Sequence, residues 1–393
     1  MQVLSQNQHG PSEIICVVGA RPNFMKIAPI MVALNALKPH LKVTLLHTGQ
    51  HYDVAMNAQY FDALGIPSPD INLEVGSGSH AVQTAEVMCR FETAMGDNLP
   101  AAVLVVGDVN STIACALVAS KKGVPVIHVE AGLRSWDRTM PEEINRVLTD
   151  QISDLLFTTE PSAKDNLLRE GVADSRIHFV GNVMIDTLRN NLSRAIAPAQ
   201  IAAEAGHPDF LAGGKGFVTV TMHRPSNVDD QAILTELITT IIRISAQVPV
   251  IFPLHPRTKS MLEKFGLDKK LNTPNILLLP PMGYLEMLGL MKDAKLVLTD
   301  SGGIQEETTA LGVPCITLRN NTERPITVEE GSNTIAGQDP NKIMAIFQDV
   351  MHTGGKGGRI PQFWDGHASD RIAAVIAAQL GIATPAPNRE YAD

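Results

Sequence analysis

Residues 298–307 of this chain read Leu-Thr-Asp-Ser-Gly-Gly-Ile-Gln-Glu-Glu. The apolar residues that end at position 298 predict a short buried strand, and the segment from residue 303 onward predicts a helix. Residues 301–303 are therefore the tight turn between a strand and a helix. This order of elements is typical of α/β proteins, in which strands and helices alternate along the chain.

The turn has the properties of a phosphate-binding site. Its residues are Ser301, Gly302 and Gly303. The two glycines let a ligand approach the backbone, and the first N–H groups of the helix, together with the helix dipole, favour an anion. Glu307 lies one helical turn past Gly303 and is suited to accept two hydrogen bonds from a ribose diol. Phosphate donors beside such an acceptor indicate a nucleotide, whereas the alternative is an ordinary glycine-containing turn.

The composition of the chain is that of a soluble globular protein. It has 393 residues, enough for two domains, with 44% hydrophobic and 19% charged residues. A net charge of −9 argues against general binding to nucleic acids or acidic membranes. The 4 cysteines are scattered and indicate core residues in a reducing compartment. The polar N-terminus does not resemble a signal peptide, and no apolar run approaches the roughly 18 residues of a membrane span, so we expect a cytoplasmic protein.

Short apolar runs alternate with amphipathic stretches from one end of the chain to the other. The apolar runs predict strands at residues 14–18, 43–47, 103–106, 125–129, 217–222, 250–254, 276–279, 296–299 and 315–318. The amphipathic stretches predict helices at residues 23–37, 82–95, 111–121, 232–245, 284–291, 303–311, 341–351 and 368–380. Two blocks of this kind, residues 1–181 and 182–365, predict two doubly wound α/β domains with parallel sheets covered on both faces.

Polar residues follow several of the predicted strands, where doubly wound folds place their ligands. Asp108 follows the third strand, Glu130 follows the fourth, and His223 follows the first strand of the second block. The carboxyl ends of parallel strands lie at one edge of a sheet. We therefore expect a ligand cleft between two facing domains.

Three carboxylates near one edge suit acid–base chemistry. Asp108 and Glu130 end neighbouring predicted strands, and Glu142 follows the predicted helix start at Pro141. Burial and mutual repulsion would raise the pKa of at least one of them. The alternatives are a helix cap for Asp108 and a partner of the helix dipole for Glu142. A functional role is favoured most strongly for Glu130, because its strand should place it in a crevice and not on a solvated face.

Four basic residues are candidates for binding an anion. His223 could donate to a phosphate or serve as an acid, and a structural histidine is an equal alternative. Arg21 and Lys26 flank the start of the first helix, although solvated helix ends carry such residues as well. Arg324 lies in a loop after a strand, where an arginine could bind a carboxylate or a phosphate.

The sequence lacks several common cofactor and catalytic patterns. No Cys/His cluster has the spacing of metal ligands, and no nucleophile elbow is present. The turn Gly19-Ala20-Arg21-Pro22 after the first strand is not a dinucleotide fingerprint. We therefore expect neither a metal nor a nicotinamide cofactor.

Together these motifs resemble the non-hydrolysing UDP-N-acetylglucosamine 2-epimerase family. The matching segments run in the family's order and are Gly19-Ala20-Arg21-Pro22 with Lys26, Thr48-Gly49-Gln50-His51, Gly107-Asp108, His128 to Arg134, Pro141 to Arg146, His223-Arg224, Asp300 to Glu307, and Thr322-Glu323-Arg324-Pro325. The order and number of the segments make the resemblance specific.

The resemblance implies two Rossmann-like domains of the glycosyltransferase-B type, with the last segment, residues 366–393, returning to the first domain. It implies a homodimer without a redox cofactor. The implied catalytic set is Asp108, Glu130, Glu142 and His223. The implied UDP-binding set is Arg21, Lys26, Ser301, Gly302, Gly303, Glu307 and Arg324, with Met282 and Met287 near the uracil.

The activity implied by the resemblance is the interconversion of UDP-GlcNAc and UDP-ManNAc. The hydrogen on carbon 2 is not acidified by an adjacent carbonyl, so simple deprotonation is a poor route. The implied chemistry is anti elimination of UDP to 2-acetamidoglucal, followed by re-addition of UDP with a proton returned to carbon 2 on the opposite face. The product would supply ManNAc-type sugars for surface polysaccharides.

Several alternatives remain open from the sequence. The segment Gln50-His51-Tyr52-Asp53 differs from the Gln-His-Arg-type sequence that helps form an activating substrate site in some bacterial members. With Met140 to Glu143, it also resembles relatives that act on UDP-2,3-diacetamido-2,3-dideoxyglucuronate. A retaining glycosyltransferase of the same architecture, a hydrolysing epimerase and a non-catalytic UDP-sugar binding protein are further alternatives.

Overall fold

The computed structural model describes residue 4 and residues 11–49 and 65–383. The chain divides into two compact units, of which unit 1 comprises residues 1–187 and 362–393 and unit 2 comprises residues 188–361. The sequence-based division falls at residues 181 and 365. Residues 50–53, on which the expectation about an activating substrate depends, lie outside the described residues.

Unit 1 contains a seven-stranded sheet and the helices that cover it. Its strands are β1 (Ser12–Val18), β2 (Leu41–His47), β3 (Ile71–Asn72), β4 (Ala102–Val106), β5 (Val126–Ala131), β6 (Leu155–Thr158) and β7 (Ile177–Phe179). Its helices, before the chain enters unit 2, are α1 (Arg21–Asn35), α2 (His80–Met95), α3 (Asn110–Lys121), α4 (Pro141–Ile152), α5 (Pro161–Arg169) and the start of α6 (Val183–Asn191).

The strands of unit 1 are parallel and lie in the order β3-β2-β1-β4-β5-β6-β7. The chain builds outward from β1 on one side and then returns to add β4 on the other side. Ligands of doubly wound sheets bind outside the carboxyl ends of the strands where this reversal occurs. The loops after β1 and β4 therefore lie where the fold places a site.

Alternate residues of β1 enter different apolar clusters. Ile14 and Val18 pack with α1, whereas Ile15 and Val17 pack with α2 and α3. The sheet is therefore covered on both faces, which explains why its strands read as continuous apolar runs. The last helix of the chain, α15 (Ala368–Gln379), packs against α1 in this core through Ile372 and Ile376.

Unit 2 repeats the arrangement with a six-stranded parallel sheet. Its strands are β8 (Val218–Thr221), β9 (Val250–Pro253), β10 (Ile276–Leu279), β11 (Leu296–Thr299), β12 (Cys315–Thr317) and β13 (Asn333–Ile335). Its helices, after the end of α6, are α7 (Pro198–Glu204), α8 (Pro225–Val228), α9 (Gln231–Ser245), α10 (Pro256–Lys264), α11 (Tyr284–Lys292), α12 (Gly302–Leu311), α13 (Pro325–Glu329) and α14 (Pro340–Thr353).

The strand order of unit 2 is β10-β9-β8-β11-β12-β13, so its reversal lies between β8 and β11. Asp230 caps α9 by accepting hydrogen bonds from the N–H groups of Ala232 and Ile233 at 2.8 and 3.0 Å. The apolar face of α9 then packs on β8 and β9 in the core of the unit. Unit 1 has the same order with a seventh strand added after the sixth, and the two parallel sheets confirm the predicted α/β fold class.

The sequence did not predict β3, β6, β7 and β13, which contain two to four residues each. No helix in the described part of the chain combines the length and apolar character that crossing a bilayer requires. The described residues also contain no group of three or more His, Cys, Asp or Glu side chains placed to hold a metal ion.

Candidate active site

The sequence predicted Glu130 directly after a strand, but Glu130 lies inside β5. The pairing of β5 with β6 shifts register between Val129 and Ala131, and Glu130 is the extra residue of this bulge. Its φ angle is 73°, a left-handed conformation that costs a residue with a side chain about 1–2 kcal/mol. Its side chain is buried. Such strained positions persist where the surroundings fix them, and they are concentrated at functional sites.

Lys26 on α1 forms a buried ion pair with Glu130. The two side chains meet beside Gly107, the residue after β4. A Cβ atom at Gly107 would lie 2.9 Å from Lys26 Nζ and 3.2 Å from Glu130 Oε2, and the φ angle of Gly107 is 68°. A glycine is therefore required there for both steric and conformational reasons. The structure places Lys26 on a carboxylate of its own unit, a contact that the sequence did not predict.

Asp108 is the second carboxylate at this edge. Its carboxylate pairs with the guanidinium of Arg146 on α4. Its backbone carbonyl accepts a hydrogen bond from Asn145 Nδ2 at 2.9 Å. Because α4 thus holds both the side chain and the backbone of Asp108, the carboxylate is fixed in position and paired with a cation.

Adjacent glutamates on α4 have different surroundings. Glu143 is buried and accepts hydrogen bonds from the N–H groups of Ser135 and Trp136 at 3.0 and 2.9 Å, and from Arg146 at 2.8 Å. Burial pushes the pKa of Glu143 upward, but these bonds outweigh it and hold the pKa below its ordinary value. Glu142 lies in the first turn of α4 and is half-buried. Glu143 therefore stabilises the fold, and Glu142 remains the candidate for chemistry.

His223 follows β8 in unit 2 and is oriented by Asp300, which follows β11. His223 Nδ1 lies 3.0 Å from Asp300 Oδ1, and the side chain of His223 is 38% exposed. The fully buried carboxylate of Asp300 also accepts hydrogen bonds from the N–H groups of His223 and Arg224 and from Asn227 Nδ2. Burial pushes the pKa of Asp300 upward, but the hydrogen bond and charge of His223 and the backbone bonds hold it below its ordinary value.

The predicted turn after β11 opens a helix, as expected from its sequence. Ser301 is the N-cap of α12, and the helix begins at Gly302, one residue earlier than predicted. The N–H group of Ser301 donates to Thr299 Oγ1 at 3.0 Å, which fixes the start of the turn. The first N–H groups of α12 have no acceptor within the helix, so the turn presents donors and the positive end of the dipole to an anion.

Arginines and a carboxylate surround the start of α12. A Cβ atom at Gly302 would lie 2.7 Å from Glu323 Oε1. Arg319 Nη2 lies 2.7 Å from Glu323 Oε2, and Arg224 Nη2 lies 3.9 Å from Glu323 Oε1. Burial pushes the pKa of Glu323 upward, but the charges of Arg324 and Arg319 hold it far below its ordinary value. Arg224, Arg319 and Arg324 therefore all act on the carboxylate of Glu323 at the start of α12.

Two glutamates of α12 make different contacts. Glu306 Oε1 lies 2.6 Å from Nε of the buried Arg324, which the sequence predicted as a ligand-binding residue. Glu307 is buried and accepts a hydrogen bond from the hydroxyl of Tyr284 at 3.0 Å. Burial, together with the charge of Glu306, raises the pKa of Glu307 to about 8, although the bond from Tyr284 opposes this. The predicted ribose acceptor is therefore largely protonated at neutral pH.

The remaining predicted residues are placed only in part. Met282 lies in the loop after β10, Met287 lies on α11, and both are half-buried in unit 2. Arg21 is the first residue of α1, and its side chain lies outside what the structure describes. The roles of these three residues stay predictions.

Sequence reasoning did not assign roles to Arg146, Asp300, Glu323 and Tyr284, which contact the predicted residues directly. Arg146 lies three residues after Glu143 on α4, and this spacing could have indicated the ion pair between Arg146 and Glu143. The other contacts join residues that are far apart in the sequence. Asp300 and His223 are separated by 77 residues, and no local pattern announces their meeting.

Comparison with known proteins gives a consistent result. The family model for UDP-N-acetylglucosamine 2-epimerase matches residues 34–377. The chain is 41% identical over 363 residues to a UDP-N-acetylglucosamine 2-epimerase of Methanococcus maripaludis, covering 92% of this chain and 97% of that protein. It is 39% identical over 369 residues to the UDP-2,3-diacetamido-2,3-dideoxy-D-glucuronate 2-epimerase of Pseudomonas aeruginosa, covering 93% of this chain and 99% of that protein.

A solved structure is similar as well. The crystal structure of Methanocaldococcus jannaschii UDP-GlcNAc 2-epimerase in complex with UDP-GlcNAc and UDP superposes with a TM-score of 0.81. The two chains are 40% identical, and the match covers 93% of this chain and 99% of that one. The similarity therefore extends over most of both units.

Proposed function

The chain belongs to the UDP-N-acetylglucosamine 2-epimerase family, and we propose that it interconverts UDP-GlcNAc and UDP-ManNAc. The observation that carries the proposal is the edge of unit 1. There Asp108, which pairs with Arg146, follows β4. Glu130 occupies a strained bulge in β5 and pairs with Lys26. Glu142 lies in the first turn of α4, the helix that follows β5, so the three carboxylates belong to one edge of the sheet. Carboxylates held in this way suit the removal and return of a proton.

Unit 2 supplies the nucleotide site in this proposal. The diphosphate of UDP binds the N–H groups at Ser301, Gly302 and Gly303, where the helix dipole and the arginines around Glu323 favour negative charge. Glu307 accepts hydrogen bonds from the ribose diol. The family resemblance adds Arg21, Lys26, Arg324, Met282 and Met287 to the UDP contacts.

The reaction begins with anti elimination. A base takes the proton from carbon 2 while the bond between carbon 1 and the diphosphate oxygen breaks, and this gives UDP and 2-acetamidoglucal. Negative charge develops on the departing diphosphate, so the donors at the start of α12 are strongest in the transition state. UDP then adds again to carbon 1 as a proton arrives at carbon 2 from the opposite face.

The proton transfers are assigned to Asp108, Glu130 and Glu142. Inversion at carbon 2 needs one group that removes a proton on one face and another that returns a proton on the other, and several fixed carboxylates meet that need. His223, oriented through Nδ1 by Asp300, serves as a donor to the departing diphosphate. The reaction needs no change of oxidation state, and its atoms balance without an added co-reactant.

A second substrate has a specific observation in its favour. The Pseudomonas aeruginosa enzyme is 39% identical over 93% of this chain, and the Methanococcus maripaludis relative named for UDP-N-acetylglucosamine is 41% identical over 92%. We therefore propose UDP-2,3-diacetamido-2,3-dideoxyglucuronate as the alternative substrate. The elimination chemistry is the same, because both sugars carry the hydrogen and the acetamido group on carbon 2.

The proposed assembly is a homodimer. On α4 the apolar side chains of Ile144 and Leu148 are 42% and 50% exposed and lie four residues apart, on one face of the helix. A second copy of the chain would cover such a face. Light scattering with mass determination tests this, and a monomer at micromolar concentration would contradict it.

The function is tested by incubating the purified protein with UDP-GlcNAc alone and identifying the products by NMR. The proposal expects UDP-ManNAc, with no acceptor and no nicotinamide added. Turnover only of UDP-2,3-diacetamido-2,3-dideoxyglucuronate would support the alternative substrate. Free ManNAc as the main product would indicate a hydrolase, and a requirement for an acceptor would indicate a glycosyltransferase.

A further inference from the structure

A fully buried histidine lies beneath the carboxylates of unit 1. His128 on β5 has its Nδ1 atom 2.7 Å from Asp150 Oδ1 and its Nε2 atom 2.8 Å from the carbonyl oxygen of Gly107. His128 and Asp150 are both inaccessible to solvent. Each ring nitrogen lies within hydrogen-bonding distance of an oxygen atom, so the ring is held at both ends.

Asp150 connects this histidine to a second loop. Its Oδ2 atom accepts hydrogen bonds from the N–H group of Gly132 at 3.1 Å and from Arg134 Nη2 at 2.7 Å. Arg134 also binds Glu170 on the other side, at 2.5 and 2.8 Å. Burial pushes the pKa of Asp150 upward, but the contacts with His128 and Arg134 hold it below its ordinary value.

The contacts of this network fall next to the proposed catalytic residues. Gly107 directly precedes Asp108, and Gly132 follows Glu130 by two residues. Asp150 itself lies on α4, the helix whose first turn carries Glu142. His128 and Asp150 therefore connect the end of β4, the turn after β5 and α4, which are the three elements that bear the carboxylates.

We infer that His128 and Asp150 are positioning residues that fix Asp108, Glu130 and Glu142 relative to one another. The inference rests on the proposed function, since it assigns a role in that reaction. A misplacement of about 1 Å costs on the order of 100-fold in rate. A buried polar network in which every group has a partner is rigid, and it gives the precision that a hydrophobic contact between the same elements does not give.

A purely structural role is the competing explanation. Buried ion pairs often add little net stability compared with apolar side chains of the same volume. A structural role would lower the thermal stability of a variant without changing the turnover number of the folded protein. A positioning role lowers the turnover number while the binding of UDP, whose proposed diphosphate site at the start of α12 is untouched, stays the same.

The test compares His128→Gln with the matched control His178→Gln. His178 lies on β7 of the same sheet, packs against Phe157 and makes no contact with the three carboxylates or their loops among the described contacts. For His128→Gln we expect kcat to fall about 100-fold, with the Kd of UDP measured by calorimetry unchanged. Exchange of the carbon 2 hydrogen with solvent should fall in parallel. For His178→Gln, kcat should stay within about twofold of the parent value.

Asp150→Asn is the second variant, because it removes the charge and keeps the shape. Its loss of kcat should not add to that of His128→Gln in the double variant, since both substitutions break one connection. Should the buried Arg134 prevent Asp150→Asn from folding, His128→Gln decides alone, because it leaves the pair between Asp150 and Arg134 intact.

The possible outcomes separate this inference from the proposed function. An active parent with an unchanged kcat in folded His128→Gln would overturn the inference and leave the function standing. A fall of kcat in both His128→Gln and His178→Gln would also overturn it, because the effect would then be general. A parent that turns over neither UDP-sugar would overturn the proposed function, and the inference would fall with it.

Discussion

Each unit pairs a histidine with an aspartate at the carboxyl edge of its sheet, and the two pairs differ in access. In unit 1 the pair of His128 and Asp150 has no solvent exposure, and both ring nitrogens of His128 face acceptors. In unit 2 the pair of His223 and Asp300 leaves the histidine side chain 38% exposed, with Nδ1 facing the carboxylate. His128 can therefore only hold neighbouring groups in place, whereas His223 can also contact a substrate.

The two edges also bind charge in different ways. Unit 1 balances carboxylates with buried cations, as in the pairs of Glu130 with Lys26 and Asp108 with Arg146. Unit 2 presents backbone N–H groups at the start of α12, with arginines around Glu323. The first arrangement suits proton transfer and the second suits an anion, although the two sheets share the order of their first six strands. Substitutions of the unit 1 carboxylates should therefore affect kcat, whereas substitutions at the start of α12 should affect the binding of UDP.

The largest effect is expected from the carboxylates of unit 1. Glu130→Gln should lower kcat by ~100- to 10,000-fold, because proton-transfer groups contribute that much. We expect Asp108→Asn and Glu142→Gln to lower kcat by a factor in the same range. The Kd of UDP, measured by calorimetry, should change by less than about threefold, since these substitutions leave the proposed diphosphate site at the start of α12 unchanged.

Glu92→Gln is the matched control for these variants, because Glu92 is an exposed carboxylate on α2 of the same unit. Its kcat should equal that of the parent. A carboxylate variant that keeps kcat within a few-fold of the parent would remove that residue from the catalytic set.

The next effect tests the exposed histidine–aspartate pair. Asp300→Asn should lower kcat about 100-fold, because the amide no longer fixes His223 in the orientation and tautomer that the carboxylate imposes. The backbone N–H groups that bind Asp300 lose a charged acceptor as well, so thermal stability should fall.

Asp229→Asn serves as the control in the same unit, since Asp229 forms an exposed pair with Arg257. In the folded proteins, kcat should fall in Asp300→Asn and should stay at the parent value in Asp229→Asn. Equal activity of Asp300→Asn and Asp229→Asn would show that the orientation of His223 does not limit turnover.

The third effect concerns binding in unit 2. Gly303→Val should weaken the binding of UDP by ~10-fold or more, because a branched side chain at the second residue of α12 obstructs the approach of the diphosphate to the backbone. The helix itself tolerates valine, so circular dichroism should be unchanged. Calorimetry with UDP gives the answer, and undiminished affinity in the folded variant would remove the turn from the phosphate site.

The smallest effect is a pH dependence of stability. The pKa of Glu307 rises from 4.5 to about 8 in the folded protein. Between these values the unfolded chain releases the proton while the folded chain keeps it, so the free energy of unfolding falls as pH rises through this window, by on the order of a few kcal/mol. Glu307→Gln lacks this loss and still accepts a bond from Tyr284.

The measurement is the difference in Tm between Glu307→Gln and the parent without UDP at several pH values. The difference should shift in favour of the variant between pH 5 and pH 8 and then level off. A difference that is independent of pH would show that Glu307 is ionised in the folded protein already at pH 5.

The sequence was sufficient for the fold class and for the place of the candidate residues, because both depend on local patterns. Buried strands such as β4 and β11 are continuous apolar runs, and polar residues at their ends mark the edge of the sheet. The bulge at Glu130 could not be predicted, since it arises from the register of β5 against β6 and not from the residues around Glu130.

The partners of the site residues were also beyond local reasoning. Lys26 and Glu130 are separated by 104 residues, and His128 and Asp150 by 22. Each contact exists because a helix packs beside the end of a particular strand, which depends on the completed sheet. The same limit applies to the pKa of Glu307, because burial and the neighbouring Tyr284 set it.

The central claim is that the carboxylates of unit 1 remove and return the proton at carbon 2. It is tested most directly by running the reaction with UDP-GlcNAc in deuterium oxide and following carbon 2 of both epimers by proton NMR. The account predicts deuterium at carbon 2 of UDP-ManNAc and, as equilibrium is reached, of UDP-GlcNAc, with Glu130→Gln slowing incorporation and epimerisation together. Epimerisation with full retention of the original hydrogen would contradict it.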